Sequence, residues 1–195
     1  MSKNNIEIEI RFPLKNIDAV LNKLKKGAEF KYNNRQVDTY YNAPHRDFFE
    51  RAPSVDEWLR LRDSDGKFSI NLKSFFPRGA LKSTHCEEYE SKIDNIENLR
   101  EIFKLLDFKP VIVVDKQRRA FKYKNTEIAI DTIATLGDFI EIEYDCDDDC
   151  TIESANEYLY EILKEIGAEV GPEYLVGYAF DLMKNAGLID GKTHI

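Results

Sequence analysis

The chain has 195 residues, of which 43% are hydrophobic and 33% are charged, and its formal net charge is −8. This length suits a single domain, and the hydrophobic content is enough for a sizeable core. The negative charge argues against a general nucleic-acid-binding role, because such a protein must neutralise phosphates with an excess of Lys and Arg. No apolar run reaches the length of a membrane span, so we expect a cytoplasmic protein without a membrane partner.

The order of strand and helix patterns predicts an α+β fold. Residues 6–12 alternate strictly between apolar and charged side chains, which indicates a strand, and an amphipathic helix follows. Further helical stripes begin near residues 96 and 152, and a last helix is predicted over 173–185. We expect one domain over residues 1–195, with 186–195 as a flexible tail, and either a monomer or a homodimer. Seven more strands are predicted near 35–41, 57–63, 67–73, 85–93, 110–122, 126–133 and 138–145.

Charged side chains recur on one side of nearly every predicted strand, with apolar side chains on the other side. These polar positions are almost purely acids and bases, whereas an ordinary solvated face would include Thr, Ser, Gln and Asn as well. The set consists of Glu7, Glu9, Arg11, Arg60, Arg62, Lys73, Glu88, Glu90, Lys116, Arg118, Asp131, Glu141 and Glu143.

Two architectures are compatible with this alternation. The first is a sandwich whose outer face is solvated, which is the usual meaning of such a pattern. The second is an eight-stranded antiparallel barrel whose charges line a closed lumen, with helices packed on its apolar outer surface. Charges in so narrow a space must pair, hydrate or bind a ligand. A polyphosphate with Mg²⁺ or Mn²⁺ fits them, because Arg and Lys bind phosphate and carboxylates bind hard cations.

In their order along the chain, these residues resemble the CYTH family, also called triphosphate tunnel metalloenzymes. The resemblance extends from Glu7 to about Tyr178. It rests on short segments, each weak alone, that occur in register. They are Glu-Ile-Glu-Ile-Arg at 7–11, Val-Asp-Thr-Tyr-Tyr at 37–41, Leu-Arg-Leu-Arg at 59–62, Leu-Lys at 72–73, Glu-Tyr-Glu at 88–90, Lys-Gln-Arg at 116–118, Ile-Asp at 130–131 and Leu-Gly-Asp-Phe-Ile-Glu-Ile-Glu at 136–143.

The resemblance implies an eight-stranded tunnel and a role for each lumen residue. Glu88 and Glu90 would be lumen acids that bind metal indirectly or orient the bases. Of the cations, Lys73 and Arg11 are expected to take part in catalysis. The implied metal ligands are Glu7, Glu9, Asp131, Glu141 and Glu143. The implied triphosphate ligands are Arg11, Arg60, Arg62, Lys73, Lys116 and Arg118.

Arg11 is a departure from the family pattern, whose opening signature usually ends in Lys. Arginine also binds phosphate, but it is a fixed planar fork and cannot release a proton at neutral pH. The substitution therefore leaves phosphate binding open and puts proton transfer at this position in doubt. The His-Phe pair that precedes the signature in some bacterial class IV cyclases is missing as well.

Three functions follow from the resemblance. The first is a class IV adenylate cyclase-like reaction, in which ATP gives cyclic AMP and pyrophosphate. The alternative is a triphosphatase acting on thiamine triphosphate or inorganic tripolyphosphate. The third is a non-catalytic polyphosphate or nucleotide binder, which the many carboxylates disfavour.

Trp58 bears on the choice, because Trp-Leu-Arg-Leu-Arg at 58–62 resembles a run in animal thiamine triphosphatases whose Trp stacks on the substrate ring. The other interpretation is that Trp58 simply packs near a strand end.

Overall fold

The computed structural model describes residues 6–50, 52, 54–144 and 151–189. The chain forms two compact units. The first unit consists of Met1–Arg35 and Lys116–Tyr174, and the second of Gln36–Asp115 and Leu175–Ile195. Of the predicted tail, residues 190–195 lie outside the described ranges.

The described residues contain nine strands and four helices. The strands are β1 (Ile6–Glu7), β2 (Glu9–Pro13), β3 (Glu29–Asn42), β4 (Glu57–Ser64), β5 (Lys67–Phe76), β6 (His85–Ile93), β7 (Lys109–Tyr123), β8 (Thr126–Ile133) and β9 (Gly137–Tyr144). The helices are α1 (Ile17–Gly27), α2 (Ile96–Leu105), α3 (Ile152–Glu165) and α4 (Tyr178–Asn185). The predicted class, an α+β antiparallel barrel, is confirmed, with nine strands instead of eight because the opening strand is interrupted at Ile8. No described helix is long and apolar enough to cross a membrane.

In the first unit, β7, β8, β9 and β2 pair antiparallel in that order. Their register places Ile10 beside Ile142 and Ile142 beside Ile128, so that one face of the sheet is apolar. Helices α1 and α3 cover that face, and their buried residues include Leu24 and Leu159. The hydrophobic cluster of this unit therefore lies between the helices and one side of the sheet, and the other side is left to polar residues.

The second unit repeats the same division of faces. Strands β3, β4, β5 and β6 pair antiparallel in that order. Leu61 is fully buried and belongs to a cluster that includes Leu72 and two residues of α2, Ile96 and Phe103. As predicted, Leu61 and Leu72 lie beneath a helix, as does Ile142 in the first unit.

The β4–β5 hairpin fixes the register of this sheet. Its turn residues, Asp65 and Gly66, have φ values of 50° and 82°, and the Asp63 carboxylate accepts a hydrogen bond from the Gly66 backbone N–H. Two consecutive positive φ angles are typical of the tight turns whose twist matches the flanking strands, and Asp-Gly is a sequence that favours such turns. The turn sets Arg60 opposite Asn71 and Trp58 opposite Lys73.

Candidate triphosphate site

In the first unit, the polar face of the sheet carries most of the predicted metal and phosphate ligands. Strand alternation places them opposite the hydrophobic cluster, so each side chain turns away from α1 and α3. Glu7 belongs to the same unit, lies in β1 and has a partly buried side chain. The residues on this face are Glu9 and Arg11 of β2, Lys116 and Arg118 of β7, Asp131 of β8, and Glu141 and Glu143 of β9.

Asp131 is the most enclosed of these charges, with an exposed side-chain fraction of 0%. Arg118 donates to it through Nε at 2.7 Å and Nη2 at 2.6 Å, and Lys116 Nζ lies 3.0 Å from Oδ2. Burial alone would raise the pKa of Asp131, but the Arg118 and Lys116 charges outweigh it and hold the pKa below its ordinary value. Asp131 is therefore a carboxylate with two cations in direct contact.

Glu141 connects the two arginines of this face. Arg118 Nη2 donates to its Oε1 at 2.9 Å, and Arg11 Nε donates to its Oε2 at 2.7 Å. Arg11 Nη2 also donates to Glu9 Oε1 at 2.8 Å. The planar guanidinium of Arg11 thus bridges two carboxylates that were predicted to bind metal.

Glu143 lies in a row of acids that extends over three strands. Its Cα partners are Glu9 on β2 and Glu127 on β8. Sequence reasoning missed Glu127, although it shares the strand parity of Asp131. Within the described ranges, no three acidic, His or Cys side chains are already gathered closely enough to hold an ion. The donor chemistry nevertheless fits Mg²⁺ or Mn²⁺, because carboxylate oxygens are the ligands that these hard cations prefer.

In the second unit, one face of the sheet likewise carries the predicted residues. Glu90 is exposed, whereas Glu88 is largely buried, and so are the three cations of this face, Arg60, Arg62 and Lys73. Cross-strand pairs on this face join Asp38 to Arg62, Asn71 to Glu90, and Lys73 to Glu88. The residues of this polar face are Asp38 and Tyr40 of β3, Trp58, Arg60 and Arg62 of β4, Asn71 and Lys73 of β5, and Glu88 and Glu90 of β6.

Asp38 holds the two arginines of this face. Its side chain is 1% exposed, and Arg62 donates to its oxygens through Nε at 2.6 Å and Nη2 at 2.7 Å. Arg60 Nη1 lies 3.5 Å from Asp38 Oδ2. Sequence reasoning quoted Asp38 within a motif but gave it no role. Its parity in β3 puts Asp38 on one side of that strand, but only the pairing of β3 with β4 places it beside Arg60 and Arg62.

Glu88 is the second acid that organises this face. Its Oε2 lies 3.3 Å from Lys73 Nζ, and its Oε1 lies 3.6 Å from Arg60 Nη2. The Asn71 side-chain amide also donates to Glu88. Glu88 therefore contacts two cations and one amide of this face.

Trp58 shows features of both interpretations that the sequence left open. Its ring contacts Tyr40 at a centroid distance of 5.3 Å and Phe49 at 5.4 Å, so it packs in an aromatic cluster. It also lies directly opposite Lys73 on the polar face, with a partly buried side chain. Packing and contact with a ligand are thus both compatible with its position.

Comparison with known proteins identifies the family. A family model described as the CYTH domain matches residues 5–171. The chain therefore belongs to the CYTH domain family, as the sequence motifs predicted.

Three individual proteins illustrate the likeness. The chain is 40% identical over 139 residues to a protein of Methanocaldococcus jannaschii that is provisionally named an adenylate cyclase, a match covering 71% of this chain and 76% of the relative. It is 30% identical to the PH1819 protein of Pyrococcus horikoshii, with a TM-score of 0.76 over 92% of this chain and 99% of the other.

A provisionally named adenylyl cyclase of Hippeastrum, for which a dominant triphosphatase activity is described, gives a TM-score of 0.60 at 20% identity. That match covers 93% of this chain and 95% of the Hippeastrum chain, and it shows a common fold.

The pairing of Asp38 with Arg62 leads to a stability prediction. The substitution Asp38→Asn removes the charge that compensates Arg62, and we expect it to lower the free energy of unfolding by about 3–5 kcal/mol, as for other broken buried pairs. Urea unfolding followed by circular dichroism measures the change. As a control, Glu101→Gln breaks an exposed pair with Lys104 on α2 and should change the free energy by less than about 1 kcal/mol. Equal effects of the two substitutions would contradict a structural role for Asp38.

Proposed function

We propose that this chain is a metal-dependent enzyme that acts on a triphosphate, and that its reaction is the cyclisation of ATP to cyclic AMP and pyrophosphate. One observation carries the proposal: six cationic side chains lie on the polar faces of the two units, three on each, and none is more than 16% exposed. Surface cations of the same chain, such as Lys104 and Lys109, are about three-quarters exposed. The six are Arg11, Arg60, Arg62, Lys73, Lys116 and Arg118.

Burying a cation costs free energy, and a polyanionic ligand is one way to recover it. Each of the six cations is already aligned by a carboxylate, so its donors are oriented before a ligand arrives. We assign Arg60, Arg62, Lys116 and Arg118 to the phosphate oxygens. Lys73 and Arg11 are proposed to contact the reacting phosphate groups as well.

The proposed metal ligands are the acids of the first unit. When bound, Mg²⁺ or Mn²⁺ would supply charge neutralisation at the phosphate oxygens. Asp131 differs from the other four acids because Arg118 and Lys116 already contact both of its oxygens. We therefore give Asp131 the additional task of positioning those two cations. The proposed metal set is Glu7, Glu9, Asp131, Glu141 and Glu143.

In the cyclisation, the ribose 3′-hydroxyl oxygen bonds to the α-phosphorus and its proton passes to water. The bond from that phosphorus to the bridging oxygen breaks, so that pyrophosphate leaves. Charge grows on the phosphate oxygens during this exchange, and oriented cations stabilise it. A guanidinium stays protonated at neutral pH, so Arg11 acts here as a charge and a double donor, without taking the hydroxyl proton.

A triphosphatase acting on thiamine triphosphate or inorganic tripolyphosphate is the second candidate. The position of Trp58 opposite Lys73 is compatible with thiamine triphosphate, as it is with ATP, because both substrates carry a ring. The Hippeastrum protein shows that this fold is found with triphosphatase activity, though its low identity transfers no substrate.

Product analysis tests the proposed reaction. The purified protein is incubated with Mg²⁺ or Mn²⁺ and, separately, with ATP, thiamine triphosphate and tripolyphosphate, and the products are identified by phosphorus NMR. Cyclic AMP and pyrophosphate from ATP are the expected result, and chelation of the metal should stop their formation. Orthophosphate as the released product would establish the triphosphatase instead. Binding without turnover of any of the three substrates would make the chain a binding module.

The metal assignment predicts the effect of a single isosteric change. Glu143→Gln keeps the shape of the side chain but removes a charged ligand. We expect turnover to fall by at least about 100-fold, because loss of a residue that only hydrogen-bonds to a metal ligand already costs up to about that factor. Glu165→Gln is the control, because Glu165 contacts Lys124 at the surface of the same unit and should leave turnover unchanged. Full turnover by a folded Glu143→Gln variant would remove Glu143 from the metal set.

Trp58 predicts a difference between substrates. If its ring contacts the ring of an organic triphosphate, Trp58→Ala should weaken binding of ATP by about 1–3 kcal/mol, the range for base–aromatic stacking. The loss should appear in KM more than in kcat, and turnover of ringless tripolyphosphate should barely change. Equal losses for both substrates would mean that Trp58 only packs against Tyr40 and Phe49.

A further inference from the structure

Arg11 contacts two of the carboxylates that are proposed to bind a divalent cation. Its Nη2 donates to Glu9 Oε1 at 2.8 Å, and its Nε donates to Glu141 Oε2 at 2.7 Å. All three side chains are largely buried, with exposed fractions of 16%, 15% and 8% for Arg11, Glu9 and Glu141. Solvent therefore screens this contact only weakly.

We infer that Arg11 is an internal counter-ion of the metal site, which holds Glu9 and Glu141 in the absence of metal and must move aside when a divalent cation binds. The inference rests on the proposed function, because it takes Glu9 and Glu141 as metal ligands. It concerns a positioning role of Arg11 that is separate from any contact with substrate.

The geometry of arginine explains why this residue can bridge the site. The guanidinium is a planar fork, so Nε and Nη2 can reach two different carboxylates at once. Lysine has one nitrogen, which is a point charge on a flexible stem, and it would hold the same two acids less firmly. The replacement of the usual family Lys by Arg thus predicts a different affinity for a divalent cation in this chain.

The two cations would compete because both are held by the carboxylates of Glu9 and Glu141, which bring them close together. A bound Mg²⁺ lies about 2.0–2.1 Å from its ligand oxygens, and Mn²⁺ likewise seeks hard oxygen donors. A guanidinium in contact with those oxygens would then face a double positive charge in a poorly screened environment. The hydrogen bonds of Arg11 must therefore be lost or rearranged, and their loss lowers the apparent affinity for the metal. The displaced guanidinium becomes available to an anion such as a phosphate group.

The inference is tested by Mn²⁺ titration of the full chain without substrate, with free Mn²⁺ measured by electron paramagnetic resonance. We expect Arg11→Gln to bind Mn²⁺ about tenfold more tightly than the unmodified protein. In this variant, metal binding no longer breaks the charge-assisted hydrogen bonds that Arg11 makes with Glu9 and Glu141. Arg11→Lys should lie between the two. Arg119→Gln is the matched control, because this substitution removes the same charge as Arg11→Gln. Arg119 is on the same sheet and, as the neighbour of Arg118 in β7, faces the opposite way. Its affinity should stay within about twofold of the unmodified protein.

Thermal unfolding supplies a second measurement. Without Arg11, Glu9 and Glu141 lose the cation between them, so Arg11→Gln should melt at a lower temperature in the absence of metal. Saturating Mn²⁺ should then raise its melting temperature by more than that of the unmodified protein. If Arg11→Gln does not fold well enough for this comparison, Arg11→Lys retains the charge and should still show the tighter binding and the larger rise.

The outcomes separate the inference from the proposed function. If the unmodified protein binds Mn²⁺ and the Arg11 variants bind it equally or more weakly, the competition is wrong and the metal site stands. If Arg119→Gln tightens binding as much as Arg11→Gln does, only net charge matters and the inference also fails. If neither the unmodified protein nor any variant binds Mn²⁺, the proposed metal site and the inference both fail.

Discussion

Asp131 is completely buried, and Lys116 and Arg118 hold its carboxylate on the polar face of the first unit. Removing three charges from water costs several kcal/mol for each, and only close pairing with good hydrogen bonds offsets that cost. The pairing depends on strand register, because Arg118 is the Cα partner of Asp131. A slip by one residue would turn Asp131 towards the hydrophobic cluster and Ile130 towards the charges. The buried ion network therefore fixes the register on which the apolar core also depends.

In the second unit, different residues offset the cost of burying charged side chains. Asp38 holds Arg62 with two short hydrogen bonds, and Glu88 contacts both Lys73 and Arg60. In each unit, carboxylates align cations on one face of a sheet while a helix-covered hydrophobic cluster occupies the other. A chain with a net charge of −8 can therefore still carry six largely buried cations, because each of them contacts a carboxylate. Global charge and the charge of a site are separate quantities.

Strand parity predicted the distribution of the charged residues, because alternation is a property of the strand alone. It placed Arg60 and Arg62 on the face of β4 opposite to Leu61. In the structure, Leu61 lies in the hydrophobic cluster and Arg62 contacts Asp38 on the polar face. The contribution of Asp38 depends on which strand pairs with β4, and spacing within β3 does not contain that information. The contacts of Trp58 with Phe49 likewise come from a segment outside the predicted strands. The last helix begins at Tyr178, later than the predicted 173, after Gly177 with a φ of 77°.

Stability alone does not account for these buried cations. Replacing a buried ion pair with apolar side chains of similar size is often neutral or even stabilising. A fold that needed only a packed interior could therefore fill both polar faces with residues such as Leu and Ile, as it does on the opposite faces. Under the proposed function, the six largely buried cations have an advantage besides fixing the strand register, because a polyanion binds to them. For the five cations other than Arg11, the carboxylate partners have already fixed the orientation, so a polyanion would meet donors that need little reorganisation. In the proposed function, the same acids that offset the burial of the cations in the folded chain also orient them towards a phosphate ligand.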